Sequence, residues 1–167
     1  MVGDASEGAM IDHGVLGSGA GRPKGGWAKF RDAGSDAMVA DEAGKAYFDY
    51  GAEGLWTATV WDSVATRINS VDPQSMALVD NVLYVGFGSA GLWSVDYALR
   101  WRKLNDLGPR SITGSSSAIY LDYGSAGLWR WTGASGWKKL NDARSTALGV
   151  AISQPVVRAT RADFLNY

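Results

Sequence analysis

Apolar and polar side chains alternate along several short segments of this chain, which is the pattern of a β-strand rather than of an amphipathic helix. Within Ala118–Gly124, the alternate positions Ile119, Leu121 and Tyr123 share one face. The intervening positions are themselves partly apolar, because they include Tyr120. The segment therefore predicts a strand whose sheet is covered by other structure on both faces.

This pattern recurs along the chain at a fixed spacing. Gly-Leu-Trp triplets end at Trp56, Trp93 and Trp129, at spacings of 37 and 36 residues. A second marker, WRKLND from Trp101, returns as WKKLND from Trp137, 36 residues later. Because independent markers keep one register, the sequence predicts a supersecondary unit that repeats every 36–37 residues.

Each repeat predicts four short strands joined by hairpin-length connections. In the middle copy the predicted strands are Ser75–Val79, Val82–Gly88, Leu92–Val95 and Trp101–Asn105. Asp80-Asn81 is a two-residue turn signal, and Gly91 stands where a tight turn needs a positive φ, as do Gly54 and Gly127. Hairpin connections make neighbouring strands antiparallel, so each unit should be a four-stranded meander.

Small sheets with two apolar faces are covered on both sides when they stack radially, as the blades of a β-propeller do. We therefore predict an all-β, propeller-like fold of four-stranded antiparallel blades, with about 3.5 blades in the chain. The predicted domain is residues 27–167, and residues 1–26 are a glycine-rich arm or linker. The predicted units are about 27–63, 64–100 and 101–136, with a partial unit at 137–167.

The run DPQSM…LYVGFGSAGLW…WRKLND resembles the Trp-rich, propeller-type repeats of bacterial secreted and surface proteins, chiefly through its GxxGLW motif. It is similar, more loosely, to the repeats of small β-propeller lectins, in which a Gly-Trp pair such as Gly136-Trp137 opens a strand. The resemblance extends over Trp27 to Asp142 and implies a propeller-like fold. The sugar-contacting residues of those lectins do not map onto this sequence, so the resemblance implies no particular ligand.

The predicted number of blades affects how the ring is completed. Closed propellers typically have four to eight blades, which is more than this chain supplies in recognisable units. Either the chain ends provide the missing strands, with Ala147–Ser153 and Val156–Thr160 as candidates, or several chains complete a ring together. An open ring leaves strand edges exposed, so we expect a homo-oligomer or a larger assembly.

Charge and composition exclude several classes of partner. Lys and Arg number 16 and Asp and Glu number 17, so the chain lacks the basic field that drives nucleic-acid binding. No apolar run approaches the roughly 20 residues of a transmembrane helix, so we expect no membrane insertion. Residues 1–14 have no features of a signal peptide, and the chain has no Cys. Cytoplasmic, surface or extracellular, and virion-associated locations all stay open.

Residues suited to catalysis or to metal binding are scarce in the sequence. The single histidine is His13 in the arm, and the glycine-rich run around Lys24 lacks the Ser or Thr that a phosphate-binding loop requires. Asp49 and Asp122 occupy equivalent positions beside turns, where they are expected to accept hydrogen bonds from local backbone. We therefore predict a protein that is not an enzyme, with no catalytic residues, cofactor or metal.

Aromatic residues are the remaining candidates for a binding site. The three Gly-Leu-Trp tryptophans are expected to pack between blades. Aromatic residues that follow these strands lie nearer to loops and are the candidate ligand-binding residues: Trp61, Tyr97 and Trp131. The leading hypothesis is a structural or interaction subunit that binds protein partners through residues 1–26. The alternative is a lectin-like, glycan-binding module with sites at the blade rims, and a glycoside-active enzyme is third.

Overall fold

The protein is represented by a computed structural model, which describes residues 34–59 and 64–142 together with the backbone of two short strands, β1 and β2. In chain order the strands are β1 (Met10–Asp12), β2 (Trp27–Lys29), β3 (Ala37–Ala40), β4 (Lys45–Asp49), β5 (Leu55–Thr59), β6 (Thr66–Asn69), β7 (Ser75–Val79), β8 (Val82–Gly86), β9 (Leu92–Val95), β10 (Trp101–Asn105), β11 (Ser111–Ser115), β12 (Ala118–Asp122), β13 (Leu128–Thr132) and β14 (Gly136–Asn141). The described residues contain no α-helix, and none of their helical turns is long enough to cross a lipid bilayer.

Twelve of these strands form three four-stranded antiparallel sheets. The first sheet is β3 to β6, the second is β7 to β10 and the third is β11 to β14, with the strands of each sheet in chain order. The prediction of an all-β chain built from repeated four-stranded meanders is therefore confirmed. The remaining pair, β1 with β2, is also antiparallel. β1 lies within residues 1–26, the segment that the sequence predicts to be an arm.

The sheets are offset from the predicted repeat units. The strand Trp101–Asn105 pairs with β9 and completes the second sheet, whereas a unit boundary at 100/101 would assign that strand to the next unit. β8 also ends at Gly86 instead of Gly88, because Gly88–Ala90 forms a single 3₁₀ turn. One sheet therefore extends from the hairpin before a Gly-Leu-Trp triplet to the WRKLN-type strand after it.

The turns follow the predicted glycine chemistry. Gly54, Gly91 and Gly127 have φ of 86°, 96° and 89°, in the region that favours glycine. Asp80 and Asn81 both have positive φ, 49° and 61°, as the two central residues of a type I′ hairpin turn do. These values confirm the predicted turn positions and fix the register of the hairpins on either side.

The sheets pack face against face through apolar side chains. Leu83 and Val85 of the second sheet share a core cluster with Tyr47 and Leu55 of the first sheet. The opposite face of the second sheet contributes Tyr84 to a cluster that also contains side chains of the third sheet. The first strands of successive sheets, β3, β7 and β11, lie next to one another. Each interface between sheets is thus made from the alternating side chains of the repeat.

A third cluster belongs to the first sheet alone among the described residues. Its buried members are Ala46, Phe48, Tyr50, Ala58 and Ala65, and Trp56 packs against them. Ala46 and Phe48 are 0% exposed, and Ala58 is 1% exposed. This first-sheet cluster lies on the face opposite Tyr47, so both faces of the first sheet are buried.

Candidate binding site

The structure describes two of the three aromatic residues that the sequence nominates as ligand contacts, Tyr97 and Trp131. Trp61 lies outside the described residues. Tyr97 is 55% exposed and lies in the connection between β9 and β10. The ammonium of Lys45 donates a 2.6 Å hydrogen bond to the backbone carbonyl of Tyr97 and lies 4.3 Å from the centroid of its ring. Tyr97 therefore joins the first sheet to the second.

Trp131 is part of the packing between the second and third sheets. Its ring lies 5.8 Å from that of Tyr84 in β8 and 6.4 Å from that of Trp137 in β14, both measured between centroids. Trp131 is paired across β12 and β13 with Ile119, which is 1% exposed. Cross-strand partners point to the same face, so Trp131 faces this interface. The structure does not bring Tyr97 and Trp131 into a common site.

An aromatic cleft lies at the outer strands of the third sheet, beside the loop that connects it to the second sheet. Its volume is about 310 Å³, within the range of small-ligand sites. The residues that line it are Asn105, Leu107, Tyr123, Ala126, Trp129 and Trp137. We call this the Tyr123 cleft. Neither Tyr97 nor Trp131 lines it.

The two indoles of the Tyr123 cleft have fixed orientations. The rings of Trp129 and Trp137 meet edge to face, 6.5 Å apart and at 79°. The indole N–H of Trp129 donates a 2.9 Å hydrogen bond to the carbonyl of Ala126. The ammonium of Lys139 lies 5.7 Å from the centroid of the Trp129 ring and pairs with the carboxylate of Asp142. The cleft thus offers rigid aromatic surface with an exposed ion pair at its edge.

The hydroxyl of Tyr123 is the unusual polar group of the cleft. The Tyr123 side chain is 8% exposed, and its buried hydroxyl oxygen makes no hydrogen bond of standard geometry. Burial raises the pKa of Tyr123 to about 12, and the nearby side chain of Asn105 offsets part of that rise. A buried hydroxyl without a partner costs roughly 1–3 kcal/mol.

The second sheet carries an equivalent arrangement. Trp93 and Trp101 meet edge to face at 6.3 Å and 74°, and the indole N–H of Trp93 donates to the carbonyl of Ala90 at 2.9 Å. The ammonium of Lys103 lies 5.6 Å from the Trp93 ring centroid and 2.7 Å from Asp106. At the Tyr123 position this copy has Phe87, which is 5% exposed and has no hydroxyl group.

The loops that precede the second and third sheets each carry an exposed aliphatic side chain. Leu107 is 50% exposed, and Val71, 36 residues earlier, is 43% exposed. Each follows an asparagine whose side-chain oxygen accepts its backbone N–H: Asn105 for Leu107 at 3.1 Å and Asn69 for Val71 at 2.9 Å. Because these amide oxygens hold the loop in shape, the exposed aliphatic side chain is a fixed feature of the repeat.

The acidic side chains near the turns have local structural roles. Asp49 accepts a 2.8 Å hydrogen bond from the N–H of Gly51, and Asp122 accepts one of 2.7 Å from Gly124. The predicted hydrogen bonding to local backbone is therefore confirmed. Within residues 34–59 and 64–142, no group of three or more His, Asp and Glu side chains is placed to hold a metal ion.

No family model matches the chain, and no curated protein matches it. Among solved structures, a chain in the crystal structure of the mitotic checkpoint complex is similar at 9% sequence identity, with a TM-score of 0.46 over 78% of this chain and 48% of that chain. The protein therefore spans about half the length of the chain that it matches.

Proposed function

We propose that the protein is a non-enzymatic interaction subunit with a propeller-like arrangement of blades, which works in an assembly with further copies of itself and with other proteins. The observation that supports this proposal is the repeated aromatic arrangement together with two exposed aliphatic side chains, Leu107 at the Tyr123 cleft and Val71, its counterpart 36 residues earlier. Rigid aromatic side chains supply contact area at a low cost in conformational entropy, which is why they are enriched in interfaces. A repeated contact also gains strength from multivalency.

Substitutions at these two side chains test this proposal. Light scattering should show oligomers of the full chain whose size depends on protein concentration. Leu107→Lys and Val71→Lys should shift the equilibrium toward monomer, because each places a charge in a desolvated contact. Leu140→Lys is the matched control, since Leu140 is 43% exposed but lies in the strand β14 and not in one of these two loops. A chain that stays monomeric at every concentration would contradict the proposal.

The N-terminal segment needs a separate test, because β1 pairs with β2 and so belongs to the chain's own sheet structure. Deletion of residues 1–9 removes the part of the predicted arm that precedes β1. If this segment docks the subunit, the shortened chain should keep its melting temperature and lose assembly. Unchanged assembly after that deletion would exclude docking through residues 1–9.

Recognition of a glycan is the second candidate function, and the Tyr123 cleft favours it specifically. Flat indole faces stack on sugar rings, and the indoles of Trp129 and Trp137 both line the cleft. The cleft is large enough for one sugar ring. Binding at a single cleft should be weak and should gain strength when several clefts bind one polymer.

Calorimetry with methyl glycosides, guided by a glycan array, tests this second function. Trp137→Ala should abolish binding, because it removes one of the two indoles that line the cleft. Tyr97→Ala should leave the affinity unchanged, because Tyr97 does not line the cleft. An array without any bound glycan, or binding that survives Trp137→Ala, would exclude glycan recognition at this cleft.

A further inference from the structure

We propose that the face of the third sheet turned away from the second sheet binds a protein partner that presents a carboxylate among apolar side chains. We call this surface the Arg130 face. Its central feature is one cross-strand row of side chains, which runs from β11 to β14: Thr113, Tyr120, Arg130 and Lys138. The inference goes beyond the proposed function, because it assigns a partner chemistry to a surface that shares no residue with the Tyr123 cleft.

The Arg130 face is built like two other faces that are covered by protein. Leu55 in the first sheet and Leu92 in the second are 0% exposed, because the next sheet packs on each of them. Leu128, at the equivalent position of the third sheet, is half-buried, and so is Tyr120 on the same face. Neither of these two side chains belongs to a core cluster of the described residues. An apolar protein surface is therefore the occupant that fits this face.

The Arg130 face differs from the two covered faces in its charge. Arg130 is directly opposite Lys138, so two cations meet across neighbouring strands, where like charges are unfavourable. The positions equivalent to Arg130 are Thr57 and Ser94, whose hydroxyls donate to backbone carbonyls of their own sheets at 2.8 Å and 3.4 Å. The packing of one sheet on the next therefore does not require a cation at this position.

Arg130 has no acceptor for its Nε–H within the part of the chain that the structure describes. The Nε atom is buried and makes no hydrogen bond. The ion pairs among the described residues are those of Arg100, Lys103 and Lys139, so none of them includes Arg130 or Lys138. A guanidinium binds a carboxylate through paired, charge-assisted hydrogen bonds. A partner's carboxylate would thus supply an acceptor and reduce the repulsion between the two cations.

The first test measures stability and needs no ligand. Arg130→Met keeps the apolar stem of the side chain and removes its charge. If Arg130 serves a partner, this variant should unfold at a higher urea concentration than the unaltered chain. The difference should shrink in high salt, because salt screens the repulsion from Lys138. A lower urea midpoint would mean that the guanidinium is neutralised within its own chain, and it would overturn the proposal.

The second test is an NMR titration of the full chain with the peptide Val-Ser-Glu-Ser-Leu-Ser, whose alternation places Val, Glu and Leu on one face when it is extended. The backbone amide signals of Tyr120, Arg130 and Lys138 should shift. Replacing Glu by Gln in the peptide should weaken binding about ten-fold, as the loss of a charged hydrogen bond does. Arg130→Met should abolish this preference for Glu. Arg67→Met is the matched control that should keep it, since Arg67 is an exposed arginine in the first sheet.

Three results of the titration would overturn the proposal: equal binding of the Glu and Gln peptides, no binding of either at millimolar concentration, or a preference for Glu that survives Arg130→Met. A heparin fragment and a single-stranded oligonucleotide serve as polyanion probes. Tighter binding of either than of the Glu peptide would also overturn it, and would assign the face to a polyanion instead of a protein. These outcomes are separate from the proposed function, because peptide binding does not depend on self-association through Val71 and Leu107.

Discussion

The ammonium of Lys45 in β4 lies 4.3 Å from the ring centroid of Tyr97, which belongs to the turn after β9. It also donates a 2.6 Å hydrogen bond to the Tyr97 carbonyl, although the two residues are 52 positions apart. Lys45 is 6% exposed, so this charge is largely removed from water. A buried charge is tolerated only when it is paired, and this contact links the first sheet to the second.

Replacing Lys45 should therefore destabilise the protein more than replacing Tyr97. Lys45→Met removes the hydrogen bond and leaves the Tyr97 carbonyl without its donor, at a cost of about 1–3 kcal/mol in the free energy of unfolding. Tyr97→Ala removes only the ring contact, worth about 0.5–1 kcal/mol at an exposed site. Tyr97→Phe keeps an aromatic face and serves as the control. Urea unfolding measures the free energy of unfolding of the three variants. An equal loss of that free energy in Lys45→Met and Tyr97→Phe would contradict the prediction.

The glycines that precede the Leu-Trp pairs should tolerate no side chain. A Cβ at Gly91 would lie 2.2 Å from the carbonyl oxygen of Asn105, and one at Gly127 would lie 2.2 Å from that of Asn141. The clash adds to the strain of a positive φ, so Gly91→Ala and Gly127→Ala should each cost about 1–3 kcal/mol. Gly133→Ala is the matched control, because no atom lies within 4 Å of its Cβ position. If thermal melts show that Gly133→Ala lowers the melting temperature as much as Gly91→Ala and Gly127→Ala do, the prediction is wrong.

The local sheet structure was predictable because it depends on neighbours in sequence. Asp80-Asn81 and Gly91 set the turns, and the spacing between them leaves room only for short antiparallel strands. The Tyr123 cleft was not predicted, because its residues come from three strands and two loops that meet only after pairing. The sequence places Trp131 near the rim because it lies close to a loop. Its pairing with Ile119, a core position, instead turns its side chain toward the interface between the second and third sheets.

Because it is buried, the ionised carboxylate of Asp49 should lower the stability of the fold at neutral pH. Desolvation raises the pKa of Asp49, and the hydrogen bond from the Gly51 N–H opposes that rise. Because the folded-state pKa is raised, the contribution of this group to stability is present at pH below the unfolded pKa, near 3.9, and is lost as pH rises through the folded value. Asp49→Asn keeps an oxygen acceptor without the charge, so it should stabilise the fold at pH 7. The gain should shrink as the pH is lowered through this range.

Two comparisons make the Asp49 experiment decisive. Asp49→Ala removes the acceptor as well as the charge, and the loss of the hydrogen bond should cost about 1 kcal/mol. Asp122→Asn makes the same chemical change in the third sheet, where the carboxylate accepts from Gly124. At pH 7 the urea midpoint should therefore be higher for Asp49→Asn than for Asp49→Ala, and this difference should remain at pH 3, because only the alanine variant lacks the acceptor. A destabilised Asp49→Asn at pH 7 would mean that the charge itself is favourable.

Alkaline pH should unfold the protein through its buried tyrosines. Burial raises the pKa of both Tyr47 and Tyr123 to about 12, above the ordinary value of about 10. Between these values the unfolded chain loses a proton that the folded chain keeps, so the stability present below pH 10 falls as the pH rises toward 12. Each group contributes up to about 1.4 kcal/mol per pH unit.

Tyr47→Phe should reduce this loss of stability between pH 10 and pH 12. Tyr123→Phe should also reduce it, and should leave stability at pH 7 unchanged or higher, because it removes a hydroxyl that lacks a partner. Tyr97→Phe, at an exposed position, is the control, and urea midpoints at steps between pH 9 and pH 12 are the measurement. An alkaline loss of stability that is the same in all three variants would place its origin in other groups.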